Sequence, residues 1–452
     1  MEAINQALSN LNLGNGEDRI SHLPESVLTH ILSHLTTKDA MLTSILSRNW
    51  RMKWICIYNL HFDDGMLYAN EVTNKQIFIN FVEKVFHFCG TSRLQSFSLT
   101  CSQKYDPFLI SEWISTALTC GIQRFCLIYR NGDDLVLPNC FLGCETLEEA
   151  KLIIPCILKV SPVTSFKNLK ILYVTKVRVE NASYPQCSEL TFTFPVLEEF
   201  SMISITWRNV KVIILEAPRL SSCRIAWCQY KNMNDQLDNC EIKILKACGL
   251  TNFNWASNYF LENFVMDMVP SVSKAGLDHI YGIDDFWKVG IGAAKIMKQL
   301  STVRHMELSI DIVEAMELAG VTESLPLFSQ IKYLKLESRS SGSTKALMSF
   351  LRKIPNLRYL KIYSYFPWKN DDYEMLGTLP PCIMICLEKV YFTYHFGNSI
   401  GFHLMKLLLQ NAHALELMSI CALEIPSSWK TEIKLMLRIV PRASKNAVIE
   451  VE

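Results

Sequence analysis

The sequence predicts an α/β fold: a small three-helix N-terminal module followed by an irregular solenoid with a parallel sheet on its concave face. Three observations carry this. Residues 18–64 hold apolar side chains at helical spacing together with two tryptophans. Beyond residue 90 an apolar frame, with two spacers and then one, recurs along the chain. With 49% hydrophobic and 20% charged residues over 452 positions, the chain is globular and long enough for more than one structural unit.

Residues 1–17 are polar and acidic, hold no apolar leader, and are expected to form a disordered tail. Pro24 then suits the first position of a helix, because its missing N–H has no intrahelical partner there. After it Val27, Leu28, Ile31, Leu32 and Leu35 recur at three- and four-residue spacing. A second helix is expected near Asp39, carrying Met41, Leu42, Ile45 and Leu46, and the run Ser47, Arg48, Asn49, Trp50, Arg51, with Trp54 after it, closes the module. So short a module cannot bury all this surface by itself, so some of it is expected to dock on the rest of the chain or on a partner.

The Leu23-Pro24-Glu25 start, the Val27, Leu28, Ile31, Leu32 stripe, Thr43 to Leu46 and the Trp50, Trp54 pair resemble an F-box. Leu60-His61-Phe62-Asp63-Asp64 resembles the segment immediately after the F-box in plant F-box proteins with leucine-rich repeats. The resemblance implies docking onto the Skp-type adaptor, and through it the cullin, of a Skp–cullin–F-box ubiquitin ligase. Its contact residues would be Leu23, Pro24, Val27, Leu28, Ile31, Leu32, Leu35, Ile45, Leu46, Trp50 and Trp54. Asn49 stands where a basic residue is common.

Residues 65–90 are expected to be a helical linker, and 91–385 the solenoid. The frame appears at Leu94, Phe97, Leu99; Ile122, Phe125, Leu127; Leu147, Ala150, Leu152; Leu169, Leu172, Val174; Leu197, Phe200, Met202; and Leu220, Cys223, Ile225. It is less clean at Ile242, Leu245, Ala247. It resumes at Val303, Met306, Leu308; Ile331, Leu334, Leu336; Leu357, Leu360, Ile362; Leu387, Val390, Phe392; and Leu415, Met418, Ile420. The cadence suits leucine-rich repeats, in which the last two frame residues point to one side of a short strand and each repeat covers its neighbour. Residues 250–300 read as a helical insertion or atypical repeat, with a mostly apolar helix over Trp287 to Leu300. The segment 386–452 resembles the FBD region that ends many of these plant proteins, with a buried helix through Phe402, Leu404, Met405, Leu407, Leu408 and Leu409 and a short final strand.

Charge and cysteine usage narrow the function. A net charge of +1 gives no long-range bias toward nucleic acid or an anionic membrane. No stretch of about 18 residues is free of charge, which argues against a membrane span. Sixteen scattered cysteines point to free thiols in a reducing compartment, cytoplasm and/or nucleus.

Catalytic and metal-binding patterns are poorly represented. Gly290-Ile-Gly292 half matches a dinucleotide fingerprint but lacks its third glycine. His30 and His34 are one turn apart without a third ligand. The pairs Cys140 with Cys144 and Cys382 with Cys386 have no matching second pair. Asp133-Asp134, Asp284-Asp285 and Asp371-Asp372 lie in turn-like stretches. No catalytic residue, cofactor or metal is expected.

Recognition is expected instead on strand positions that alternate with the frame. In the later repeats these are His305 and Glu307, then Tyr333 and Lys335, Tyr359, Lys361 and Tyr363, and Lys389 and Tyr391, flanked by the aromatic loop 365–368. Tyrosine gives contact area at low entropic cost, and the lysines favour an acidic or phosphorylated protein target. The chain thus reads as a non-catalytic substrate adaptor of a ubiquitin ligase; the alternative is an interaction protein that binds the adaptor without promoting ubiquitin transfer.

Overall fold

The computed structural model describes residues 23–46, 50–66, 75–89, 94–130, 135–231, 240–256, 264–266, 272–278, 286–338, 342–364, 379–394, 399–422 and 427–451. The expected tail at 1–17, the Ser47-Arg48-Asn49 run, the loop 365–368 and the three Asp-Asp pairs lie outside them. The chain folds as two compact units, Met1–Ile154 and Pro155–Glu452.

In the first unit, helix α1 spans Glu25–Ser33 and α2 spans Thr37–Leu42. Pro24 sits one position earlier than expected, at the N-cap of α1. Helix α2 starts before Asp39 because Thr36 caps it: the Asp39 N–H donates to Thr36 Oγ1 at 3.1 Å, and the hydroxyl returns a bond to Asp39 Oδ2 at 2.8 Å. The expected third helix is present, among the described residues, only as 3-10 turns at Thr43–Ile45 and Lys53–Cys56.

The strand ladder begins earlier than the sequence frames indicated. β1 (Asn59–Asp63) pairs in parallel with β2 (Ser96–Cys101), β2 with β3 (Arg124–Tyr129), and β3 with β5 (Glu149–Val160); β4 is the short Leu135–Val136. Ile57, Leu60 and Phe62 form a full frame, each 2% exposed or less. The segment expected to be a linker is therefore a crossover helix, α3 (Lys75–Cys89), from β1 to β2. Helix α4 (Pro107–Thr119) does the same between β2 and β3, started by Pro107 and by Asp106 Oδ1 accepting from the Phe108 N–H at 2.9 Å. Phe62, Phe97 and Phe125 stack through adjacent strands at centroid spacings of 6.0 and 5.9 Å, which is how aromatic frame residues close this core.

The second unit opens as a coil of strands with three walls. β7 (Ile171–Asn181), β9 (Glu199–Ile203), β12 (Ser222–Ala226), β15 (Asn252–Ala256) and β17 (Lys274–Asp278) stack in parallel as the first. β6 (Val163–Ser165), β8 (Glu189–Thr193), β11 (Val212–Glu216), β14 (Glu241–Leu245) and β16 (Phe264–Met266) form a second parallel sheet. The end of β7 pairs with β10 (Thr206–Arg208), and β10 with β13 (Gln229–Lys231). Corner residues adopt left-handed backbone, with φ of 56° at Ser204 and 54° at Trp227, so the chain turns between walls without losing its ladder. Their N–H groups still donate to Ala226 and Ala256 carbonyls at 2.8 and 2.7 Å.

Two frame assignments change here. Within residues 250–300, Leu250, Phe253, Trp255 and Val272, Ala275, Leu277 are buried frames that end on β15 and β17, and the apolar helix expected over Trp287 to Leu300 is present at Phe286–Lys298. The frame at Ile242, Leu245, Ala247 is displaced, since Ile242 and Ile244 are the buried pair and belong to β14 of the second sheet.

After β17, helices replace strands on the return path. α5 (Phe286–Lys298), β18 (His305–Ser309), α6 (Ile310–Leu318), β19 (Tyr333–Ser338), α7 (Thr344–Leu351), β20 (Tyr359–Ser364), α8 (Pro381–Ile385), β21 (Lys389–Tyr394), α9 (Ser399–Asn411), β22 (Leu417–Ala422), α10 (Ser427–Arg438) and β23 (Val448–Val451) alternate. All these strands run parallel to their neighbours from β17 onward. The expected helix in the last segment is α9, with Leu404, Met405, Leu408 and Leu409 buried and Phe402 and Leu407 half-buried. Gly290 and Gly292 lie inside α5, not at a strand-to-helix turn, so the dinucleotide reading fails. A Cβ at Gly290 would collide with the Ala315 carbonyl of α6, and this is the close approach that the glycine permits.

Candidate interaction surfaces

Two surfaces are built by these elements, one in each unit. On the N-terminal module the expected apolar stripe divides by helix face. Leu28 and Leu32 are 4% and 1% exposed, and Trp50 and Trp54 are each 4% exposed. These four side chains are interior. Thr37, also buried, accepts the His61 N–H of β1 at 2.7 Å, and Trp54 packs edge-on against Phe88 of α3 at 5.9 Å. Lys53 Nζ closes the module with an ion pair to Glu25 Oε1 at 2.9 Å.

The opposite face is uncovered. Val27 and Ile31, four residues apart on α1, are exposed, as are Leu42, Ile45, Leu46 and Met52. Pro24 is exposed beside them, and Leu23 and Leu35 are half-buried. Leu42 and Met52 were not among the residues expected to make contact; both are exposed, Leu42 at the end of α2 and Met52 just before Lys53.

In the second unit the register brings all seven expected recognition residues to one sheet face. Tyr333, Tyr359 and Lys389 are cross-strand neighbours, and so are Lys335, Lys361 and Tyr391, while Tyr363 lies beside Glu337. Each is half-buried on the side away from the core. Lysines lie over tyrosine rings throughout: Lys361 Nζ is 4.7 Å from the Tyr391 centroid and 5.7 Å from that of Tyr333, Lys335 is 5.3 Å from Tyr363, and Lys389 is 5.9 Å from Tyr359.

Ion pairs occupy the β17–β19 side. Glu307 accepts from Lys274 at 3.0 Å, lies 3.8 Å from Lys335, and is 3.4 Å from His305 Nε2. Lys335 also reaches Glu337 at 3.4 Å. Burial disfavours the Glu307 carboxylate, but Lys274, Lys335 and His305 outweigh it and hold its pKa below the usual value. For Lys335 burial again opposes charge, and Glu337 and Glu307 overcome it and raise the pKa. His305 lies flat on Tyr333, with centroids 3.8 Å apart and planes 13° apart.

Gly276 of β17 lies on this face. A Cβ there would collide with the Asn254 side chain, and beside it lies a cleft of about 300 Å³ bordered by Arg224, Asn254, Asp278, Glu307, Lys335 and Glu337. Lys274, Gly276 and Asp278 were missed because the frame Val272-x-x-Ala275-x-Leu277 went unrecognised.

Among the described residues no three His, Cys, Asp or Glu side chains come together as metal ligands, and no helix is long and apolar enough to cross a membrane. His30 and His34 place their Nε2 atoms 3.4 Å apart on an exposed helix face. Burial pushes the Cys382 thiol up to about 12, keeping it a neutral core group.

Comparison with known proteins agrees with this architecture. The F-box domain model matches residues 20–55. An F-box/FBD/LRR-repeat protein of Arabidopsis thaliana is 26% identical over 441 residues, covering 96% of this chain and 94% of the relative. An F-box/LRR-repeat protein of the same plant is 27% identical over 370 residues, covering 77% of this chain and 92% of its own length. A putative FBD-associated F-box protein, also from Arabidopsis thaliana, is 27% identical over 380 residues, covering 82% and 84%. The chain carries an F-box domain joined to a parallel-strand repeat region and is similar, over most of its length, to F-box/FBD/LRR-repeat proteins of Arabidopsis.

Proposed function

We propose that this protein is a substrate adaptor of a Skp–cullin–F-box ubiquitin ligase, its N-terminal module docking the Skp-type adaptor and its repeat region holding a protein target. The observation that carries the reading is the exposure of the apolar side chains Val27, Ile31, Leu42, Ile45, Leu46 and Met52, on a module whose Leu28, Leu32, Trp50 and Trp54 are already buried. Covering six such side chains at about 1.5 kcal/mol each, the low end because none is fully exposed, supplies roughly 9 kcal/mol, which exceeds the lower estimates of about 4 kcal/mol for association. A reversible complex needs nothing further.

The expected contact set is accordingly narrower than the full stripe. Leu23, Pro24, Val27, Ile31, Leu35, Ile45 and Leu46 are proposed to meet the adaptor directly, joined by Leu42 and Met52. Leu28, Leu32, Trp50 and Trp54 support them from within. The proposed contribution to ubiquitin transfer is proximity, which raises the effective concentration of target lysines at the charged enzyme and requires no catalytic group on this chain. Targets are proposed to bind the outer face of β19 to β21, through Tyr333, Lys335, Tyr359, Lys361, Tyr363, Lys389 and Tyr391.

The test is reconstitution with purified Skp-type adaptor and cullin. Co-elution of the full chain with the adaptor, then cullin-dependent ubiquitination of a captured protein, supports the reading. Co-elution without any transfer favours an interaction protein outside the ligase cycle, and failure to co-elute removes the docking reading.

A further inference from the structure

The outer face from β17 to β21 is polar in two senses: its charges are self-neutralised at one end and uncompensated at the other. On β17 to β19, Lys274 and Lys335 face Asp278, Glu307 and Glu337, and ion pairs to Glu307 and Glu337 consume both lysines. On β20 and β21 the same positions hold Tyr359, Lys361, Tyr363, Lys389, Tyr391 and Thr393, with two cations and no carboxylate. Lys361 and Lys389 contact only tyrosine rings among the described residues. A cation–π contact holds an ammonium in place without cancelling its charge.

We propose that Lys361 and Lys389 form the recognition site for an extended, Asp- or Glu-rich peptide segment of the target protein. This rests on the adaptor reading and names the chemistry of what that reading leaves as an unspecified target. The register supplies the geometry. Lys361 pairs with Tyr391, two residues past Lys389, so the lysines are offset by one strand and two residues, about 8 Å between backbones. Side chains at i and i+2 of an extended peptide share a face and stand about 7 Å apart, which presents one carboxylate to each ammonium. The cations are lysines, point charges suited to single carboxylates, and the pair contains no arginine fork of the kind that matches a phosphate. A nucleic acid is disfavoured on the same face, because Glu307 and Glu337 lie two strands and one strand from Lys361 and interrupt any basic track.

Fluorescence anisotropy on the full chain tests this with three labelled probes of equal length: an alternating Glu-Ser peptide, its Lys-Ser counterpart, and a single-stranded oligonucleotide. The expected result is binding of the Glu-Ser peptide alone, weakened about tenfold or more by Lys361→Glu with Lys389→Glu and unchanged by Lys298→Glu on α5. The milder Lys361→Gln with Lys389→Gln, expected to give a partial loss, serves if charge reversal impairs folding. Equal binding of the oligonucleotide or of the Lys-Ser peptide overturns the proposal, as does a Glu-Ser affinity indifferent to both double variants. Adaptor co-elution is read on the same samples. Its loss strikes the adaptor reading alone, because the docking face is on α1 and the turns after α2, whereas the peptide result depends on β20 and β21.

Discussion

Ile31 and Leu32 are consecutive on α1, yet Ile31 is 41% exposed and Leu32 only 1%. One helical step of about 100° carries the chain from a face that awaits a partner to one that is already packed. The two residues therefore separate binding from folding. Ile31→Asp places a charge on a surface that is open in the free protein, so stability is expected to stay within about 0.5 kcal/mol while adaptor binding is lost. Leu32→Ala removes interior atoms and is expected to cost about 2–5 kcal/mol of stability. Thermal melting beside an adaptor pull-down checks both, and wild-type recovery of the adaptor by the Ile31→Asp protein would show the docking face to be elsewhere.

Gly290 sets how closely α5 approaches α6. Alanine there gains roughly 1 kcal/mol of helix propensity, but its Cβ would meet the Ala315 carbonyl, a backbone group that cannot swing aside. Overpacking of this kind typically costs about 1–3 kcal/mol, so Gly290→Ala is expected to be net destabilising and Gly290→Val more so. Denaturant midpoints of the two variants give the answer; an alanine variant more stable than the parent would mean that the helices do not touch here.

How far these features were legible in the sequence depends on how local their causes are. The frames with large aliphatic centres, such as Leu334 with Leu336 and Leu360 with Ile362, announce both strand and core side, and the lattice of tyrosines and lysines between them comes from strand alternation alone. Val272, Ala275, Leu277 form an equivalent frame that was passed over inside a stretch read as helical, and the second sheet was hidden because Ile242 with Ile244 has the same two-residue period as a frame strand. Helical periodicity located the α1 stripe without dividing it. Which half is covered depends on elements further along the chain, among them the Lys53–Cys56 turn packed against α1, and no local pattern encodes that packing.

Asp64 is a completely buried carboxylate with a structural task. Its oxygens accept the backbone N–H of Ser102 at 2.8 and 3.0 Å and of Gln103 at 2.9 Å, and the Tyr105 hydroxyl at 3.2 Å, so it ties the end of β1 to the turn after β2. Asp64→Ala strands two backbone donors and is expected to destabilise the first unit by about 2–4 kcal/mol. Asp64→Asn keeps the volume but turns one acceptor into a donor and is expected to recover only part of that loss. Hydrogen exchange at Ser102 and Gln103 is the direct measurement, and unchanged protection in the alanine variant would contradict the assigned role.

His305 carries the pH dependence of the second surface. Burial against Tyr333, and after it the neighbouring charge of Lys274, lowers its pKa below the ordinary 6.5, and the attraction of Glu307 does not make up the difference. With the folded pKa below the unfolded one, the unfolded chain binds the proton first, so stability falls as pH drops through 6.5 toward the folded value. Glu307 works in the same direction at lower pH. Its depressed pKa gives stability that is complete above 4.5 and is lost as pH falls through the folded value. Acid is therefore expected to loosen the β17–β19 face in two stages, first through His305 and then through Glu307. Titration of the His305 ring by NMR should give a midpoint below 6.5, and Lys274→Met should raise it, both by removing a nearby cation and by freeing Glu307 to attract the imidazolium. A midpoint at or above 6.5 in the parent protein, or one indifferent to Lys274, would contradict the stacked and desolvated placement of this ring.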